Sequence, residues 1–409
     1  MRYFVESYGC TMNYGEGRML SADMASMGYQ EVGSAEEADI VILNTCTVVE
    51  TTEKRMLARI GELKKQGKEI VVTGCMAKAQ PQRVRIRLPG SMIMAPGEYH
   101  MFCEEVVSRY GIAGPPLPIV QGHDAILPIA QGCLGNCSYC ITRFARGHLI
   151  SYEAGALKEK FDGFIDNGAK EVLITAQDTA CYGRDTGSDL PTLMRSMLGH
   201  EGRYRLRIGM MNPNHLRPIA EDLMEVMDDD RVYRFLHVPV QSGSNEILKR
   251  MRRNYTAESF LELVDILRSH HRDISIATDI ICGFPGETDE DHRMSLDLVR
   301  ELRADTVNIT RFSPRPGTDA ATMDQIHGRI VKERSAELTE LKNDTELDVN
   351  SHMVGRTYQA LATERGKEGT ILRTDNYRPV VIRDEVGLGS FHEVEVLENR
   401  PTYLMGRLI

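Results

Sequence analysis

Apolar residues over the first 110 positions follow two periods. Near-continuous runs at 2–7, 39–44 and 69–73 read as strands, and the segments 15–27, 52–65 and 79–87 carry helical spacing. In the first helix Met19, Leu20, Met24 and Met27 fall on one face. Apolar strands alternating with helices predict a flavodoxin-like parallel sheet covered on both sides, with ligands beyond the carboxyl ends of its strands. The alternation resumes after residue 124. Strands are expected at 126–130, 171–175, 204–209, 233–238, 275–281 and 305–311, separated by helices at 155–168, 190–198, 216–227, 257–269 and 289–302. Six such units predict a partial (β/α)6 barrel, open because it has fewer than eight strands. A charged helix follows at 328–350. From residue 353 the pattern shifts to short strands punctuated by Gly366, Asp375-Asn376 and Gly387-x-Gly389, which reads as a small β-barrel. The chain is therefore α/β, with domains at 1–110, 125–350 and 351–409. Pro115, Pro116 and Pro118 mark 111–124 as a linker.

Cysteine placement adds chemistry to this frame. Cys133, Cys137 and Cys140 share one short loop after the first barrel strand, in a C-x3-C-x2-C pattern. Thiolate is the soft ligand that iron–sulfur clusters take, and a 4Fe-4S cluster held by three thiolates keeps one iron open to a chelating small molecule. Structural zinc is the competing reading, but no second C-x-x-C or Cys/His unit lies downstream to complete its four ligands. Cys10, Cys46 and Cys75 follow the first three strands by two or three residues. Loops at one edge of a parallel sheet converge, so these thiols are placed to hold a second cluster. Taken singly, each reads as a small buried hydrophobe; it is the three together, at equivalent strand ends, that point to a cluster. Cys103, Cys181 and Cys282 have no partner at ligand spacing and read as core or surface thiols; none of the histidines is assigned a role.

Composition narrows the setting. The 409 residues have no run of eighteen apolar positions and no hydrophobic leader, so a cytoplasmic protein with no membrane partner is expected, its nine cysteines reduced. The net charge of −10 argues against indiscriminate nucleic-acid binding. Almost all the excess acid lies between the terminal domains, where 28 Lys and Arg face 37 Asp and Glu.

The loops at the carboxyl ends of the barrel strands are polar. They offer Gln177 after the second strand, Gln241, Ser242 and Ser244 after the fourth, and Gly283 and Gly286 after the fifth. Singly these are ordinary turn residues; together, beside a cluster loop, they outline a pocket.

The cysteine triplet resembles the signature of radical S-adenosylmethionine (SAM) enzymes. The resemblance extends over nearly the full length, through Tyr8-Gly-Cys10, Asn44-Thr-Cys46, Gly74-Cys75, Gly283-Phe-Pro-Gly-Glu-Thr288, Phe312-Ser-Pro-Arg-Pro-Gly-Thr318 and the terminal β-module. The whole is similar to the radical SAM methylthiotransferases, with their C-terminal TRAM domain. That resemblance implies two 4Fe-4S clusters. The one on Cys133, Cys137 and Cys140 would cleave SAM, using an external electron donor; the one on Cys10, Cys46 and Cys75 would carry the sulfur to be inserted. It also implies SAM contacts from Gln177, Gln241, Ser242, Ser244 and Gly283, with Arg146 as the expected partner of the SAM carboxylate or of an RNA phosphate. Asp279 stands where many radical SAM enzymes place glycine. The stretch from Cys133 to Gly147 is most similar to the archaeal and eukaryotic branch, whose substrate is N6-threonylcarbamoyladenosine at position 37 in the tRNA anticodon loop. Branches acting on isopentenyl-adenosine or on a ribosomal-protein aspartate, and a non-catalytic iron–sulfur protein, remain the alternatives. TRAM would grip the tRNA backbone.

Overall fold

A computed structural model describes residues 1–48, 50–117 and 122–409; of the expected linker prolines, Pro118 lies outside them. Five strands, β1 (Arg2–Ser7), β2 (Gln30–Glu31), β3 (Ile40–Thr45), β4 (Glu69–Gly74) and β5 (Met92–Ile93), form a wholly parallel sheet in the order β2-β1-β3-β4-β5. This is the flavodoxin-like order. Every residue of β3 is buried because each face has its own cover. Ile40, Ile42 and Val71 pack under Leu20, Met24, Phe102 and Val106. Val41, Leu43, Ile70 and Val72 pack under Met56, Ile60 and Leu63. Met19 departs from the expected face: the helix Thr11–Ser26 turns it outward, 39% exposed.

The barrel begins with β6 (Asp124–Pro128). A two-residue pair, β7 (Ala130–Gln131) against β8 (Ile150–Ser151), then brackets the cysteine loop. The remaining staves are β9 (Glu171–Thr175), β10 (Arg205–Ile208), β11 (Phe235–His237), β12 (Ser275–Cys282) and β13 (Thr306–Arg311). Pairing runs β6-β9-β10, passes through a bridge from Leu206 to Val232, and continues β11-β12-β13. Among the described residues β13 does not pair with β6, so the barrel is open. Helices Ala257–His270 and Asp289–Leu302 start where expected because Thr256 and Thr288 each form a capping box. The helix expected over 216–227 is broken into Pro213–Leu216, a 3-10 turn at Arg217–Ile219 and Ala220–Val226, since Pro218 supplies no N–H to a continuous ladder.

Two neighbours cover the barrel. Helix Thr11–Ser26 of the first sheet lies on β6 so closely that a Cβ at Gly15 would stand 2.7 Å from Ile126 Cγ2. Glycine inside a helix costs about 1 kcal/mol, and here it permits that approach. At the opposite, amino-terminal ends of the strands sits a closed barrel of β14 (Thr357–Gly366), β15 (Gly369–Thr374), β16 (Pro379–Ile382), β17 (Phe391–Asn399) and β18 (Leu404–Leu408). Its turn after β15 enters the floor of the large barrel. Tyr377, at φ 64°, puts its ring 4.8 Å from that of Tyr233 and 5.0 Å from that of Phe235. Asp375 pairs with Arg205 and accepts the Arg234 backbone N–H at 2.9 Å.

Candidate functional site

The loop after β7 presents Cys133, Cys137 and Cys140, each beside a hydrogen-bond donor. Gly135 N–H lies 3.2 Å from Cys133 Sγ, and Arg253 Nη1 lies 3.3 Å from Cys137 Sγ. The Thr142 and Arg143 amides act on Cys140. Donors of this kind tune sulfur ligands. Burial pushes the Cys133 thiol up to about 12, and the Asp178 charge adds to the effect.

The second set assembles at the carboxyl edge of the first sheet. Cys10 caps helix Thr11–Ser26 after β1, Cys46 follows β3, and Cys75 follows β4. Gly9, at φ 105°, allows close passage: a Cβ there would meet Cys46 Sγ at 2.9 Å. Burial pushes Cys75 up to about 12 against the pull of Arg146, and Cys10 and Cys46 are near enough to add to the rise. A bound metal reverses this logic by ionising its thiols outright.

Neither set is drawn in around a single zinc ion. A tetrahedral zinc at 2.3 Å from each sulfur would hold sulfurs about 3.8 Å apart, yet in neither set do all three lie within 4.8 Å of one another. Three soft thiolate donors in each set are the chemistry an iron–sulfur cluster takes. Cys103 packs in the N-terminal core and Cys282 in the barrel core.

Arg146 is not free for SAM. It is buried, pairs with Glu16, donates to Asn13 Oδ1 at 2.5 Å and reaches Cys75 Sγ with Nε at 3.4 Å. Helix Thr142–Arg146 thus turns its last side chain into the first domain. Arg315, from the loop after β13, does the same on the other side, pairing with Glu53 and donating to Thr47 Oγ1 at 3.2 Å, within electrostatic reach of Cys46.

Several expected SAM contacts serve the loops themselves. Gln177 Oε1 accepts the Gly132 N–H at 2.6 Å, which anchors the first thiol loop. Ser242 Oγ accepts the Ser244 N–H at 3.2 Å, and Ser244 caps helix Asn245–Arg250 while bonding Asp291. Gly283 gives its N–H to Glu287 at 2.9 Å, and a Cβ there would meet Val331 at 2.6 Å, so glycine is needed for packing of helix Gly328–Ser351. Gln241, at φ 76°, keeps a carboxamide without a protein partner among the described residues. Asp279, the departure from glycine, accepts from His237 at 2.8 Å and from Asn308 at 2.9 Å.

One group was not anticipated. Asp178, Cys181 and His215 form a buried triangle, with His215 Nδ1 2.7 Å from Asp178 Oδ2 and 3.0 Å from Cys181 Sγ. These are hydrogen-bond lengths, shorter than ligand separations around zinc. The polar loop after the second barrel strand, which offered Gln177, also carries its first member, Asp178; His215, 37 positions on, had no local signal.

Segments of the chain match three family models. Residues 2–95 match "Uncharacterized protein family UPF0004", 127–299 the radical SAM superfamily and 351–409 the TRAM domain. The sequence is 38% identical to a probable threonylcarbamoyladenosine tRNA methylthiotransferase of Pyrococcus abyssi, covering 100% of both chains. It is 36% identical to the Danio rerio threonylcarbamoyladenosine tRNA methylthiotransferase, over 99% of this chain and 78% of that one. The chain belongs to the threonylcarbamoyladenosine tRNA methylthiotransferase family. Among solved structures, a radical SAM methyltransferase, TsrM, from Kitasatospora setae shares the fold at TM-score 0.58 and 16% identity, covering 78% of this chain and 75% of that one. As a radical SAM methylthiotransferase, the protein uses one 4Fe-4S cluster with SAM, and the loop 133–140 lies inside the matched segment. No helix among the described residues is long and apolar enough to cross a membrane.

Proposed function

We propose that the protein converts N6-threonylcarbamoyladenosine at position 37 of tRNA, in the anticodon loop, to its 2-methylthio derivative. Cys133, Cys137 and Cys140 hold the cluster that works with SAM; Cys10, Cys46 and Cys75 hold a second 4Fe-4S cluster. When bound, the first supplies one-electron cleavage of SAM and the second supplies the sulfur that is inserted. An unactivated C–H bond lies beyond any side-chain acid or base, which is why the chain devotes two separate thiol sets to the task.

One observation carries the reading: a side chain from just beyond the first thiol loop, Arg146, ends on a thiol of the second set. Two donor sets from different domains are thereby held at one junction. The protein's own part is positioning. Gln177 fixes the loop, Gly135 and Arg253 donate to its sulfurs, and Arg146 and Arg315 lock the two domains together. Gln241 remains available to SAM. The TRAM barrel is assigned to the tRNA backbone.

Mass spectrometry of tRNA nucleosides from a deletion strain tests the substrate. Loss of 2-methylthio-threonylcarbamoyladenosine is expected, and an undiminished level rejects the assignment.

A further inference from the structure

A cavity of about 780 Å³ opens beside the first thiol loop, between Leu134–Cys137, Asn212–His215 and the segment 249–256. That volume suits a nucleoside-sized ligand. Acidic residues outnumber basic ones in the chain, 59 to 49, yet the lining holds Lys249, Arg252 and Arg253 and no Asp or Glu. Two of these cations are already committed. Arg252 pairs with Asp319 at 2.6 Å, and Arg253 serves Cys137, Tyr255 and Pro239. Lys249 has no partner among the described residues, and neither do the carboxamides of Asn214 and Asn254. His215 also lines the cavity, its Nδ1 held by Asp178, which leaves Nε2 for a ligand.

An unpaired ammonium among free carboxamides is a setting for an anion that also carries amide-like groups. A prenyl chain would meet only one aliphatic side chain in the lining, Leu134, beside the ring of Tyr255. We infer that this cavity receives the threonylcarbamoyl substituent of the target base, with Lys249 reading its carboxylate and Asn214 and Asn254 its ureido group. The inference rests on the substrate reading above. It makes Lys249 a specificity determinant, since the unmodified adenosine lacks the carboxylate it contacts. A phosphate of the anticodon loop carries the same charge, and the test separates the two sources.

Reconstituted wild-type and Lys249→Gln proteins are titrated with anticodon stem-loops bearing threonylcarbamoyladenosine or plain adenosine at position 37. Wild type is expected to bind the modified loop at least about tenfold more tightly. Lys249→Gln is expected to lose most of that preference while binding the plain loop almost unchanged, and Lys249→Arg to restore it. Equal weakening on both loops assigns Lys249 to a phosphate and overturns the inference, as does a variant that keeps full discrimination. The wild-type product distinguishes the two readings. If wild type methylthiolates neither loop, the substrate reading falls and takes this one with it; if it modifies the first while the variant weakens both equally, only the cavity assignment falls.

Discussion

Arg146 Nε stands 3.4 Å from Cys75 Sγ, joining the end of one thiol loop to the thiol set of another domain. The guanidinium is 1% exposed and its partner Glu16 4% exposed, so the pair sits in a dry junction. Removing one member of such a pair leaves an uncompensated charge, which costs about 3–5 kcal/mol. Arg146→Met is therefore expected to destabilise the protein by that amount in denaturant titration, and adding Glu16→Leu to recover a large part of it. Additive losses from the two substitutions would deny the coupling.

The two thiol sets are expected to fail differently. Cys133→Ala should lower iron from about eight to about four per chain and abolish 5′-deoxyadenosine release from SAM. Cys46→Ala should lower iron equally, keep that release and stop sulfur transfer. Iron analysis of anaerobically reconstituted protein, with chromatography of the products, reads all three quantities. If both variants retained full transfer, the division of labour would be wrong.

Where information was local, the sequence was sufficient. Continuous apolar strands ending in Gly-Cys or Thr-Cys put Cys10, Cys46 and Cys75 at one sheet edge, and apolar spacing located the helices that Thr256 and Thr288 turn out to cap. What escaped was long-range or very short. Strands β2 and β5 have two residues each, too few for a period. The partners of Arg146 lie 130 and 133 positions away, and nothing near it distinguishes a cation aimed at Glu16 and Asn13 from one aimed at a SAM carboxylate. Ser244 looked like a SAM contact because a helix cap and a ligand contact draw on the same hydroxyl.

The raised thiols give the cluster-free protein a pH dependence. Cys75 and Cys133 lie at about 12 in the fold, against about 8.5 in an unfolded chain. Above pH 8.5 the unfolded chain sheds protons that the folded one keeps, so stability falls as pH rises, by up to about 1.4 kcal/mol per thiol per pH unit. Below pH 8 both states hold the protons and the contribution is constant. Denaturation of metal-free protein between pH 7 and 10 is expected to show this decline, and Cys75→Ala to flatten it. A wild-type profile parallel to that of Cys75→Ala would show that this thiol is not held protonated by the fold.

The floor of the barrel gives the last test. Tyr377 belongs to the TRAM module, yet its ring packs against Tyr233 and Phe235 and is flanked by Arg207 at 5.1 Å and Arg373 at 4.7 Å. Truncating a packed aromatic ring costs about 3–5 kcal/mol in a closed core. Tyr377 is only partly buried, so about 2–3 kcal/mol is expected for Tyr377→Ala by chemical denaturation. Because the ring bridges two modules, the loss should also split them. Calorimetry should show two unfolding steps where wild type shows the barrel and TRAM melting together. A single transition with an unchanged midpoint would mean that the ring contributes no coupling, and that Asp375 with Arg205 and Arg234 holds the module alone.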